Sequence, residues 1–220
     1  MPTLFFTVYN INHYPLDTKD QHSYLGVTIH KSMSWAPHIN TLVHKATRTL
    51  NFIKRNLHKC SKEVKETAYH TLVRPSLEYA SCVWDPHQLY LISNIEKIQR
   101  RAARWILSDF SRYSSVSTML AQLQWSSLEK QQSDSRLCTF YRILHDSNIS
   151  IKVPQYFMST QYPTRNDHPF HFILPYTSTT YYKQSFFPRT IKQWNNLPLN
   201  IINSTSLSTF SLSLKSKLNL

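Results

Sequence analysis

At 220 residues and 26.0 kDa the chain is long enough to bury a core without staples. Hydrophobic residues at 41% and aromatics at 13% favour a folded protein over a disordered one. A net charge of +13 points to nucleic acid or an anionic surface as partner. Gly26 is the sole glycine, which excludes glycine-rich phosphate loops and dinucleotide fingerprints. Cys60, Cys82 and Cys138 show no paired spacing, so a disulfide scaffold is excluded and a reducing compartment is expected.

The positive charge is uneven along the chain. Residues 1–33 balance, residues 34–112 carry thirteen bases against six acids, residues 113–146 balance again, and residues 147–220 carry seven bases against one acid. These blocks set the expected organisation. Residues 1–33 form a β-hairpin remnant, 34–112 a helical bundle, 113–146 a helical extension, and 147–220 an irregular Pro-rich region with short helices. The expected fold class is mainly α. Neither a signal peptide nor an apolar run of about 20 residues is present, so an intracellular chain, nuclear or cytoplasmic, is expected.

In chain order, Leu4–Tyr9 and Tyr24–Ile29 are short, β-branched and aromatic, and predict a hairpin-like pair. Ile39, Leu42, Val43, Ala46, Leu50, Ile53 and Leu57 then share one helical face over about residues 35–57, with Pro37 in the first turn. Lys45, Arg48 and Arg55 lie on the opposite face. Ser61 offers an N-cap for a second helix through Val64, Ala68 and Leu72, which Pro75 breaks or kinks. A third helix over about residues 88–107 puts Leu91, Ile95, Ile98, Ala102, Trp105 and Ile106 on one face. Its other face carries Lys97, Arg100, Arg101 and Arg104 within roughly 100°. Ser126-Ser127-Leu128-Glu129 reads as a capping box opening a helix to about His145, whose second half is apolar all round. Pro154, Pro163, Pro169 and Pro175 interrupt residues 147–180, and a serine-rich helix is expected from Ser206 to Leu218.

Little in the sequence supports catalysis. The twelve acids are scattered singly, which suits solvated or capping roles better than a two-metal site. His168-Pro169-Phe170-His171 is a lone H-x-x-H without a cysteine pair, so zinc is not expected. No motif surrounds a nucleophile. The basic stripe is the informative feature. It could be a plain solvated face, but four cations without an intervening acid repel one another unless an anion lies near, which favours phosphate contact. Phe52 and Trp194 could stack on bases; packing against a neighbouring segment is the expectation for the first, and core packing for the second.

Several blocks carry a family resemblance. They are Tyr24-Leu25-Gly26-Val27-Thr28-Ile29; Trp35, His38 and Ile39; Val73-Arg74-Pro75; Leu77-Glu78-Tyr79-Ala80-Ser81; and Val83-Trp84-Asp85-Pro86. Ile95-Glu96 and Ile98-Gln99-Arg100-Arg101-Ala102-Ala103-Arg104 follow. Ser185-Phe186-Phe187-Pro188-Arg189-Thr190-Ile191, Trp194-Asn195 and Leu197-Pro198 close the series. In this order they resemble the C-terminal part of the reverse transcriptase of non-LTR, LINE-type retrotransposons, close to the jockey and CR1-like groups, from about Tyr24 to Leu218.

The resemblance implies a thumb and post-thumb region that grips a template–primer duplex beside the palm of an RNA-directed DNA polymerase. The implied partners are the backbones of an RNA template and a DNA primer, and the palm domain. Neither a membrane nor a small-molecule substrate is implied. Lys97, Arg100, Arg101 and Arg104 are the implied phosphate contacts, with Lys45, Arg48 and Arg55 second. An F-x-D-D-like motif is missing from these 220 residues, so the expectation is a fragment without catalysis or cofactor of its own; the magnesium of the parent polymerase would belong to the palm. Two other readings stand beside it: a domesticated RNA- or DNA-binding module, and an inert relic with no selected role.

Overall fold

A computed structural model describes residues 10–154, 157, 171–174 and 176–216. The expected strand Leu4–Tyr9, the histidine His168 and the end of the last helix at Leu218 lie outside them. The described chain is mainly helical, with small antiparallel hairpins at its start.

The first hairpin pairs β1 (Asn10–Ile11) with β2 (Tyr14–Pro15), and the second pairs β3 (Gln21–Tyr24) with β4 (Val27–His30). Tyr24–Ile29 is therefore not one strand. Leu25 and Gly26 adopt φ of 46° and 81° and form the two-residue turn between β3 and β4. Positive φ at both central positions matches the right-handed twist of the strands, and glycine supplies it without strain. The Tyr79 hydroxyl donates to the Leu25 carbonyl and ties this turn to the bundle.

Helix α1 (Ala36–Asn56) follows, with proline in its first turn as its spacing predicts. Its buried face is Ile39, Ala46, Leu50 and Ile53. His38 is also buried; its Nδ1 accepts from the Thr28 N–H, and burial holds its pKa below the usual imidazole value.

Helix α2 (Lys62–Ala68) continues through a wider π turn, Tyr69–Val73, into α3 (Arg74–Glu78). Pro75 lacks the N–H a regular turn would use. The wide turn lies just before it, and the chain remains helical rather than breaking. Ser61 stands at the N-cap position without a side-chain bond to the helix backbone. Ala80, at φ 51°, redirects the chain into the short α4 (Ser81–Trp84), where the Trp84 indole donates to the Tyr79 carbonyl.

Helix α5 (Leu89–Ile106) buries all six of its expected apolar positions and packs on α1. After α6 (Val116–Gln122), α7 (Leu128–His145) starts differently from a capping box. Ser127, not Ser126, is the N-cap and accepts from the Lys130 N–H. The carboxylate that accepts from the first turn is that of Glu96 of α5, which takes the Glu129 N–H. A carboxylate at a helix N-terminus satisfies an orphan donor and favours the helix dipole.

Among the described residues, two apolar clusters result. The first gathers Val27, α1 to α6 and Leu128, with Leu50, Leu77, Trp84 and Leu91 fully buried. The second is built from Leu137, Phe140 and Tyr141 of α7, then Val153, Phe157 and Phe172, and then α9 (Phe186–Trp194), α10 (Leu199–Ile202) and α11 (Leu207–Ser216), with the small α8 (Thr180–Lys183) beside α9. Helix α7 gives its first residue to one cluster and its second half to the other. Trp194 is fully buried, as expected. No helix of the described residues is long and apolar enough to cross a membrane.

Candidate nucleic-acid interface

Helix α5 presents its polar face because the opposite face is locked into the first core. Lys97, Arg100 and Arg101 are exposed. The Lys97 Nζ donates to the Asn94 Oδ1, a surface bond that an incoming phosphate can replace. Arg100 sits near Glu96, whose carboxylate is committed to the start of α7. Burial raises the pKa of Glu96, while the backbone N–H groups of Glu129 and Leu128 act the other way.

Arg104 departs from the expectation of a free phosphate contact. It is half-buried, and its two terminal nitrogens donate to the carbonyls of Ser111 and Ser114. These bonds fold back the loop after α5, where Ser108 has φ 53° and Asp109 accepts from the Ser111 N–H. The helix ends there with orphan carbonyls, so a cation at this position also suits the dipole. Spacing placed Arg104 in the stripe correctly but could not show that the following loop would claim it.

Lys45, Arg48 and Arg55 are exposed on α1. Phe52 lies among them, 57% exposed, where the sequence suggested packing against a neighbouring segment. At 3.6 residues per turn these four side chains fall within an arc of roughly 80°. The α1 face is thus a basic strip with an exposed ring in it, the combination that single-stranded nucleic acid uses for charge and stacking.

A buried ionic cluster went unread in the sequence. Asp85 was expected to be one of the solvated or capping acids. Its side chain is instead only 5% exposed; its Oδ2 pairs with Nη1 of Arg136 of α7 and lies 3.4 Å from Nη1 of Arg189 of α9. That same Arg189 nitrogen donates to the Asp85 carbonyl at 3.0 Å. The Arg136 Nη2 donates to the Gln193 Oε1 at 2.6 Å. Burial and the adjacent Arg189 push the Arg136 pKa down to about 9, so it is still charged at neutral pH. The only available signal was that Asp85 and Arg189 belong to two blocks of the same family resemblance. Sequence distance of 104 residues hid the pairing.

Among the described residues, no group of three or more His, Cys, Asp or Glu side chains could hold a metal ion. Comparison of the chain with protein-family models, with curated proteins and with solved structures finds no match.

Proposed function

We propose that this chain acts as the nucleic-acid-gripping thumb and post-thumb portion of a reverse transcriptase of the non-LTR retrotransposon kind. The observation that carries the reading is α5. One of its faces is buried in the first core, and the other exposes Lys97, Arg100 and Arg101 as a row of cations. A rigid helix bearing such a row suits a phosphate backbone: it fixes the position of the duplex and reads no sequence. The α1 strip of Lys45, Arg48, Phe52 and Arg55 supplies a second contact, suited to an unpaired stretch of template. In this role the chain holds and orients substrate strands, and the chemistry belongs to the palm.

The test is the salt dependence of binding to an RNA–DNA hybrid. Each phosphate neutralised contributes about 0.9 to the log–log slope for a B-form duplex. Replacing Lys97, Arg100 and Arg101 together by alanine is expected to flatten the slope by about 2–3 units. Arg104→Ala is expected to loosen the loop after α5 and leave the slope nearly unchanged. A triple variant with the wild-type slope would sink the assignment of this face.

A further inference from the structure

Beside the ionic cluster lies a cleft of about 460 Å³, bounded by β4, the chain leading into α1, the α4–α5 connection, α7, α8 and α9. That volume is in the range of small-molecule sites. Asp85, Gln88, Arg136 and Arg189 all line it. Arg136 is only 1% exposed and its Nε has no hydrogen-bond partner. The Gln88 Oε1 is likewise buried and unpartnered. Buried polar atoms are nearly always paired, so one unused donor and one unused acceptor in the wall of the same cleft point to a ligand that supplies both complements.

The charge balance points the same way. Two guanidinium groups face one carboxylate, and the other titratable side chains lining the cleft are His30, Cys82, His87, Tyr181 and Tyr182. Glu129 adds a weaker negative influence on Arg189. An excess buried cation is costly unless an anion compensates it. The remaining wall is largely apolar and aromatic, with Trp35, Val83 and Phe186 among its members. Such a wall takes a flat, weakly polar body.

We propose that this cleft binds a planar organic monophosphate of mononucleotide type, its phosphate on Arg189 and Arg136 and the polar edge of its base on Gln88. The sequence had implied no small-molecule ligand, and the site stands apart from the α1 and α5 faces. Two sources share this chemistry: a free mononucleotide and the 5′-phosphorylated end of a strand.

Calorimetric titration of the full chain with AMP, adenosine and inorganic phosphate tests the proposal. AMP is expected to bind at least about ten-fold more tightly than either half, since only AMP satisfies both ends of the cleft. Val83→Trp and Met33→Trp fill the cleft from two exposed positions that make no ionic contact. Either variant, once its thermal unfolding matches wild type, should weaken AMP at least about ten-fold and leave the salt slope for the RNA–DNA hybrid unchanged. A 5′-phosphorylated oligonucleotide that displaces AMP, where its hydroxyl-ended counterpart does not, identifies a strand end as the ligand. Displacement by neither identifies the free nucleotide. Equal affinity for AMP, adenosine and phosphate, absence of AMP binding, or AMP binding untouched by both tryptophan variants would overturn the site. None of these results bears on the α5 face, whose own test is the salt slope.

Discussion

The two apolar clusters are assembled on different physical terms. The first is made by helices of up to 21 residues whose apolar side chains recur along one face, as in α1 and α5. The second is made by short helices and extended pieces that meet through rings. Phe140 lies 5.1 Å from Trp194 and 5.5 Å from Phe172, and Tyr141 stacks on Phe210 at 4.6 Å. Side-chain-to-backbone bonds reinforce this: Asn195 brackets Phe172, accepting from its N–H and donating to its carbonyl, and the Tyr141 hydroxyl donates to the Ser204 carbonyl. Repetition along a helix builds the first cluster, and shape complementarity between distant residues builds the second.

The seam between them offers the largest test of that contrast. Asp85 belongs to the chain segment that follows α4, while its partners Arg136 and Arg189 belong to α7 and α9. Asp85→Ala would leave the buried Arg136 and the half-buried Arg189 facing each other without that counter-charge. A loss of about 3–5 kcal/mol is expected in chemical denaturation. Adding Arg136→Met should recover most of it, because the methionine can occupy the space without a charge to compensate. If the single variant loses under about 1 kcal/mol, the cluster is hydrated and the two regions are joined by apolar contact alone.

This seam also marks where sequence reading stops. Apolar periodicity predicted α1 and α5 to within about two residues, because helical spacing is a local property. The basic faces came with it, since a buried stripe fixes its opposite. The Asp85–Arg136–Arg189 cluster could not be found this way. Its members sit on the segment after α4, on α7 and on α9, and each alone looks like a surface charge. The same holds at the start of α7, where Glu129 has the spacing of a capping box but Glu96, 33 residues earlier, is the carboxylate that accepts from the first turn, at the Glu129 N–H. Local rules named the kind of partner and tertiary packing chose a different one. Phe52 was misread for the converse reason, because an aromatic ring suggests burial, yet nothing in the first cluster reaches that side of α1.

Glu96 gives the next largest effect and sharpens the contrast from inside the first region. Glu96→Ala removes the acceptor at the start of α7 and is expected to cost about 1–2 kcal/mol. Glu96→Gln keeps an acceptor oxygen and should cost much less at neutral pH. Burial raises the Glu96 pKa, so the folded protein holds this proton more tightly than the unfolded chain does. Its contribution therefore favours folding most below the ordinary glutamate value of 4.5 and declines as pH rises through the higher folded value. The stability advantage of wild type over Glu96→Gln should shrink with rising pH across that window in thermal unfolding. An advantage that grows instead would mean that the backbone N–H bonds outweigh burial.

The smallest effect on stability is expected where the two regions treat the same side chain in opposite ways. Phe140 is 0% exposed at the centre of the aromatic cluster, and Phe52 is 57% exposed on α1. Truncating a buried phenylalanine removes transfer free energy and opens a cavity, at about 3–5 kcal/mol. Truncating an exposed one removes neither, so Phe52→Ala should change unfolding by no more than about 0.5 kcal/mol. Water already covers most of that ring, and alanine is a better helix former than phenylalanine, which offsets the little packing lost. A ring that adds almost nothing to the fold can still add to binding. Stacking on an unpaired base is worth about 1–3 kcal/mol, so Phe52→Ala should weaken a single-stranded RNA by about five-fold or more while leaving the salt slope intact. Unchanged stability with unchanged single-strand affinity would reduce the α1 strip to its three cations.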